Sequence, residues 1–165
     1  MTVISEATIM VGLGEVKISA EPDTVLACLG LGSCIAVSVY DSVAKVGGMA
    51  HVVLPNSHGK TGEKAARYAD IAVPRLLEKM RECGAVDSRL VINLAGGAQM
   101  SLAPGMGKAF KIGEDNVAAV CAALALEGLK PNTVITGGSK GRTMRLFIDS
   151  GRATVASTGE ETLEL

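Results

Sequence analysis

At 165 residues, with 48% apolar and 20% charged side chains, the chain is long enough to bury a core and has the balance of an ordinary folded protein. Its 16 basic and 17 acidic residues leave a net charge of −1 with no basic run, and aromatics are only 2% with no Trp. Neither a phosphate-backbone binder nor a stacking platform for single-stranded nucleic acid is expected. No apolar stretch approaches the roughly 20 residues of a membrane span, and residues 1–10 carry Glu6 but no Lys or Arg, unlike a signal peptide. A cytoplasmic protein without membrane insertion is expected, with Cys28, Cys34, Cys83 and Cys121 as reduced thiols. None of them forms a C-x-x-C pair and there are only two histidines, so no structural metal site is expected.

In chain order, Val11–Ala20 reads as a first strand and Glu21-Pro22-Asp23 as a turn. Thr24–Leu29 is a short apolar run that suits a buried strand ending in a turn at Gly30–Gly32. Ile35–Tyr40 alternates with period two, and Val46–Leu54 resumes as a strand after a loop at Asp41–Ala44. Asn56–Lys64 reads as an exposed loop that contains His58. Tyr68–Cys83 has helical spacing, with Pro74 predicting a kink or the true start, and Gly84 a natural stop. Arg89–Leu94 is a strand, Ala95–Ala98 a tight turn, Ser101–Gly107 a loop and Lys108–Ile112 a short strand. Asp115 or Asn116 caps a second helix that runs to Gly128. Thr133–Thr136, Thr143–Ile148 and Ala153–Ser157 are further strands, the last two joined by a hairpin turn. Cys83 and Cys121 fall on apolar helix faces and read as core. The pattern predicts one α/β (α+β) domain over residues 1–165, a layered sandwich of mixed or antiparallel sheet with about two helices packed on it.

One pair of residues stands out. In an antiparallel hairpin, opposed residues have a constant sum of position numbers. A loop at Asp41–Ala44 sets Tyr40 opposite Lys45, and the same sum sets Cys34 opposite His51. Opposed side chains share a face, with Cβ atoms about 4.5–5.5 Å apart, whereas a slip of one residue would separate them. An imidazole beside a thiol can take its proton and leave a thiolate. Gly30 and Gly32 allow close approach of a substrate, and amides near Cys34, at Gly32 and Ser33, could hold a developing oxyanion. Such a pair suits acyl transfer from an amide, ester or thioester. A small buried hydrophobe is the plain alternative for Cys34.

The stretches Gly30-Leu31-Gly32-Ser33-Cys34, Gly48-Met49-Ala50-His51 with Leu54-Pro55, Tyr68-Ala69-Asp70, Ala95-Gly96-Gly97-Ala98, Ile112-Gly113 with Asn116-Val117, and Thr136-Gly137-Gly138 with Gly141-Arg142 occur in this order. Together they resemble the chemoreceptor glutamine deamidases of bacterial and archaeal chemotaxis, the CheD family, over about Gly12–Val155. The resemblance implies a layered fold similar to the catalytic domain of cytotoxic necrotizing factor toxins. It implies hydrolysis of receptor glutamine side chains to glutamate, and in some members of glutamate methyl esters, with Cys34 as nucleophile, His51 as general base and then acid, and no metal or cofactor. The implied partners are the cytoplasmic helices of chemoreceptors, as substrate, and a CheC-type phosphatase. The family's third catalytic residue is typically a threonine six positions before the cysteine. Cys28 stands there, and its thiol is a weaker hydrogen-bond partner than a hydroxyl. Orientation of His51 then falls to Cys28, to Thr24 or Ser33, or to a backbone carbonyl. Two other readings fit: a regulatory module that tunes a phosphatase with little turnover of its own, and a redox sensor that pairs Cys34 with Cys28.

Overall fold

The structure, a computed structural model, describes residues 6–99 and 111–165. Among these are ten strands and two α-helices: β1 (Ala7–Met10), β2 (Val16–Ser19), β3 (Thr24–Leu31), β4 (Ile35–Asp41), β5 (Val46–Val52), α1 (Ala69–Glu82), β6 (Leu90–Gly96), α2 (Ile112–Leu126), β7 (Thr133–Thr136), β8 (Arg142–Phe147), β9 (Ala153–Ser157) and β10 (Leu163–Glu164). They form two five-stranded mixed sheets, ordered β1-β3-β8-β9-β10 and β2-β5-β4-β6-β7. The expected α+β layering is therefore present, with the strands divided between two sheets.

The β4–β5 hairpin organises the second sheet. Asp41 pairs with Val46, so the loop is Ser42–Lys45. Asp41 closes it: Oδ1 accepts the amides of Val43 at 2.9 Å and Ala44 at 3.0 Å, and Lys45 turns the chain back with φ 55°. Arg89 donates to the same buried carboxylate at 3.0 Å, as does the Val86 amide at 2.9 Å. Burial alone would raise the carboxyl's pKa. Arg89 and the three amides outweigh it and hold the group well below the usual carboxylate range.

Both faces of β4 are buried, so its alternation sorts residues between two layers rather than between core and water. Ile35, Val37 and Val39 join Val46, Ala50 and Val52 of β5 under α1 and α2, where Leu76, Leu77, Met80, Val120 and Leu124 cover them. Ala36 and Tyr40 turn the other way with Met49 and Ala95, onto Leu26, Cys28, Leu31, Met144, Leu146 and Val155 of the first sheet. A fully buried Leu contributes about 1.5–3 kcal/mol by leaving water, so the helix-side layer carries much of the stability.

Several boundaries differ from the sequence reading. The first strand is two: β1 lies before Val11 and pairs parallel to β3, while β2 begins at Val16. β3 does not stop at Gly30. It passes through with an irregularity between Cys28 and Leu31, and the turn comes at Gly32–Cys34. Pro74 neither starts nor ends α1, which begins five residues earlier. Ala95 and Gly96 close β6 rather than forming a turn. Ile112 is the first residue of α2, and the rest of the expected loop and strand over 101–111 lies outside the described residues except Lys111. Asp115 and Asn116 sit inside α2, not at its cap. Cys83 caps α1 in an exposed position, while Cys121 packs half-buried against the helix-side core.

Candidate active site

The hairpin register moves the expected pairing by two residues. Ala36, not Cys34, is the Cα partner of His51. A shift of two preserves the face, so the register sets Cys34, just outside β4, on the inter-sheet side with His51, in a diagonal relation that in a regular ladder separates backbones by about 7–8 Å. Cys34 packs against the inter-sheet cluster, half-buried, and His51 is 5% exposed.

His51 is held from both sides. Its amide donates to Glu15 O at 3.0 Å and its carbonyl accepts from Gly14 at 2.9 Å, so the Gly12–Glu15 turn continues the edge of β5. Its Nδ1 lies 2.9 Å from Val11 O. A carbonyl only accepts, so Nδ1 is the donor, and in the neutral tautomer this leaves the lone pair on Nε2. The same carbonyl accepts a weak bond from Cys28 Sγ at 3.6 Å. Cys28 thus sits beside the histidine's anchor, and the group that orients the ring is the backbone carbonyl of Val11. Thr24 lies at the far end of β3 from Cys28 and takes no part.

The two thiols differ. Burial, with smaller contributions from Cys34 and Glu15 nearby, pushes the Cys28 thiol up to about 12. Burial also raises Cys34, but its own amide N–H, alongside the sulfur, pulls the other way. All four cysteines are free thiols.

The turn that carries Cys34 is fastened at three consecutive carbonyls. Gly32 O accepts the Ala98 amide at 2.8 Å, Ser33 O accepts Asn116 Nδ2 at 3.0 Å, and Cys34 O accepts the Gly97 amide at 2.9 Å. In a trans peptide the carbonyl and the following N–H point opposite ways. Fastening these carbonyls to the segment just past β6 and to α2 aims the N–H groups of Ser33, Cys34 and Ile35 away from that support. The Gly32 and Ser33 amides have no acceptor among the described residues. Gly96 makes the close approach possible: its φ is 116°, and a Cβ there would overlap Cys34 O. Arg142 braces the far side, donating from Nη1 to Gly96 O at 3.0 Å and Gly137 O at 2.7 Å, and the Gln99 amide donates to Gly138 O at 2.8 Å. The glycine pairs read as simple turns from sequence are thus the scaffold of the cysteine turn.

Asn116 was missed as a functional residue. It is buried and its Nδ2 bridges Ser33 O and, at 2.9 Å, Val53 O. In the sequence it stands as a possible helix cap and in the Asn116-Val117 pair of the family resemblance, and neither shows this bridge. Beside the His51 strand, a cleft is lined by Leu13, Gly14, Glu15, Val53, Glu63, Lys64 and Arg67. The expected loop Asn56–Lys64 reaches it only through its last residues. Earlier in that loop Ser57 is buried, its amide and hydroxyl donating to Asp70 at 2.9 and 2.6 Å, while His58 is exposed, away from the site. Among the described residues no cluster of His, Cys, Asp or Glu has the makings of a metal site.

The family described as CheD chemotactic sensory transduction matches residues 53–157, downstream of Cys34 and His51. Relatives extend the match over both. The probable chemoreceptor glutamine deamidase CheD of Symbiobacterium thermophilum is 43% identical over 157 residues, 94% of this chain and 95% of the relative. The chemoreceptor glutamine deamidase CheD of Thermotoga maritima is 43% identical over 150 residues, 91% of this chain and 92% of its own. That of Desulforamulus reducens, named as probable, is 38% identical over 93% of this chain and 92% of its own. Among solved structures, the Bacillus licheniformis hypothetical protein YfiH aligns with 83% of this chain and 61% of its own at 14% identity and a TM-score of 0.44, too distant to bear on function. On the sequence relatives and the family match, the chain belongs to the CheD family.

Proposed function

We propose that this protein is a cysteine hydrolase that deamidates glutamine side chains of chemoreceptors, with Cys34 as nucleophile and His51 as general base and then acid. The observation that supports the reading is that an imidazole fixed through Nδ1 and a thiol on a turn whose carbonyls are tied back lie on the same inter-sheet face. His51 Nε2 takes the thiol proton, which offsets the burial that raises Cys34. The thiolate attacks the glutamine carboxamide carbon, and the amides of Gly32 and Ser33, with that of Cys34 beside the sulfur, receive the developing oxyanion. One such donor is worth roughly 3–4 kcal/mol in well-studied enzymes. His51 returns the proton to the departing ammonia, leaving a thioester. It then deprotonates water, which hydrolyses the thioester to glutamate and free thiol. A receptor methyl ester enters the same sequence with methanol as leaving group. The sequence of steps calls for no metal or cofactor.

The substrate follows the names of the relatives, which are chemoreceptor glutamine deamidases. The cytoplasmic helices of a receptor are the substrate, and the cleft from Leu13 to Arg67 is where a helix would present a glutamine to the pair. A CheC-type phosphatase is proposed as regulatory partner, and the cytoplasm as the place of action. Cys28 fits a structural role better than that of a resolving thiol: it is fully buried, and a thiol pushed up to about 12 stays protonated at neutral pH. The test is mass spectrometry of receptor cytoplasmic fragments after incubation with the protein. A gain of about 1 Da per converted glutamine is expected with wild type and none with Cys34→Ala; full conversion by Cys34→Ala would overturn the mechanism.

A further inference from the structure

We propose that Asn116 is a positioning residue that sets the Cys34 turn and the His51 strand at a fixed separation. The inference rests on the deamidase reading above. Three facts support it. Asn116 is fully buried, and its single Nδ2 donates to two carbonyls, Ser33 O at 3.0 Å and Val53 O at 2.9 Å. Ser33 immediately precedes Cys34, and Val53 stands two residues beyond His51 on the same strand path. One side chain thus joins the segments that carry the two reacting groups. The orientation of the carboxamide is fixed chemically, because two carbonyls can be met only by the NH2 end.

The Ser33 bond acts on more than the turn's position. The Ser33 carbonyl and the Cys34 N–H belong to one peptide plane and point opposite ways. Holding the carbonyl toward α2 aims the Cys34 amide outward, beside the sulfur, where an oxyanion would form. The Val53 bond fixes the end of β5 just past the histidine, where the strand leaves its β4 partner. The β4–β5 ladder ends at Ile35 and Val52, so neither Cys34 nor Val53 is held by strand pairing. Cys34 O takes the Gly97 amide and the Val53 amide donates to Arg67 O at 2.8 Å, and Asn116 is the side-chain brace that ties the two segments to each other.

A third observation sets this residue apart from ordinary core polarity. Asn116 Oδ1 is buried and has no hydrogen-bond partner among the described residues. A side chain selected only to satisfy its surroundings would not leave one of its own acceptors empty in the interior. The NH2 end is fully used and the oxygen is not, as expected if the donor bridge is what the position requires.

Asn116→Ala removes both bonds. The expected result, measured on receptor fragments well below the melting temperature, is a fall in kcat of about 10–100-fold with KM for the fragment within about twofold, because reacting groups displaced by a fraction of an ångström still bind substrate. The rate of Cys34 alkylation by iodoacetamide should fall with it, since the imidazole no longer meets the thiol in register. Leu124→Ala, on the helix-side face of α2, controls for lost stability: it should lower the melting temperature and leave kcat per folded molecule and the alkylation rate unchanged. Equal kcat in Asn116→Ala and wild type would overturn the inference, as would a loss shared by Leu124→Ala at matched stability. If wild type converts no receptor glutamine, the deamidase reading falls instead. The alkylation rates then decide alone: slowing confined to Asn116→Ala upholds the brace, and equal rates overturn it.

Discussion

The two faces of β4 and β5 are equally buried but hold different kinds of residue. Toward the helices stand Ile35, Val37, Val39, Val46, Ala50 and Val52, all apolar, under Leu76, Leu77 and Met80. Toward the first sheet stand Ala36, Met49 and Tyr40, and at one end Cys34 and His51, with Cys28 facing them from β3. A period of two residues keeps the faces separate, so one strand contributes to a packed core and to a reactive edge without compromise between them. The lesson is that burial alone does not distinguish core from site here. What distinguishes the site is where the backbone bonds go at its end: Ile35 to Val52 sit in continuous ladders, while the Cys34 turn just outside them hangs from Asn116 and from the segment after β6.

Mutations that address one face at a time should break the comparison if it is wrong. The largest effect is expected from His51→Ala, which should reduce receptor deamidation by at least about 10³-fold in a mass-spectrometric rate assay, since base and acid are lost together. Next comes Leu76→Ala, expected to cost about 2–5 kcal/mol in denaturant unfolding and to leave the rate per folded molecule unaltered. A loss of turnover there beyond the unfolded fraction would show that the faces are coupled. Gly96→Ala bridges the two categories. Its Cβ would meet Cys34 O, and φ 116° strains any other residue, so a loss of about 1–3 kcal/mol by thermal melting is expected together with slowed Cys34 alkylation.

Asp41 tests the hairpin loop through pH. Its folded-state pKa is depressed, so it contributes stability that is present above the unfolded value of about 4 and is lost as pH falls below it. The stability gap between wild type and Asp41→Asn should be widest at neutral pH and narrow steadily under acid, read from urea midpoints between about pH 6 and 3. A gap independent of pH would mean that Arg89 and the loop amides do not hold the charge. The smallest effect is expected from Cys28→Thr. With Val11 O orienting His51, deamidation should change by no more than about threefold. A much larger gain would show that a hydroxyl at 28, and not the carbonyl, is what the ring needs.

Much of this site was legible because it rests on parity. The alternation of Ile35–Tyr40 and the even loop length placed Cys34 and His51 on one face, and the loop's one-residue displacement moved the register by two and preserved that face. The pairing itself was not legible to the residue, since Lys45 at positive φ and the Asp41 turn decide it, and neither shows in hydrophobic periodicity. The third member of the site was legible only as one option, a backbone carbonyl, with nothing to say which residue supplies it. Val11 contributes a carbonyl, which every residue has, and it reaches His51 only because β1 pairs parallel with β3, a contact with no local signal. Asn116 was hidden for a related reason. Polar residues near a helix start suggest a cap, and only the fold shows that α2 begins four residues earlier and turns this one inward. The division of ten strands between two sheets was likewise set by β3 pairing with β8, more than 100 residues away.

The most direct test pairs the two faces in one experiment: receptor-glutamine conversion and melting temperature measured together for wild type, Cys34→Ala and Leu76→Ala. The account predicts that Cys34→Ala melts within a few degrees of wild type and converts nothing, whereas Leu76→Ala melts well below it and converts at the wild-type rate per folded molecule. Conversion by Cys34→Ala at the wild-type rate would contradict it.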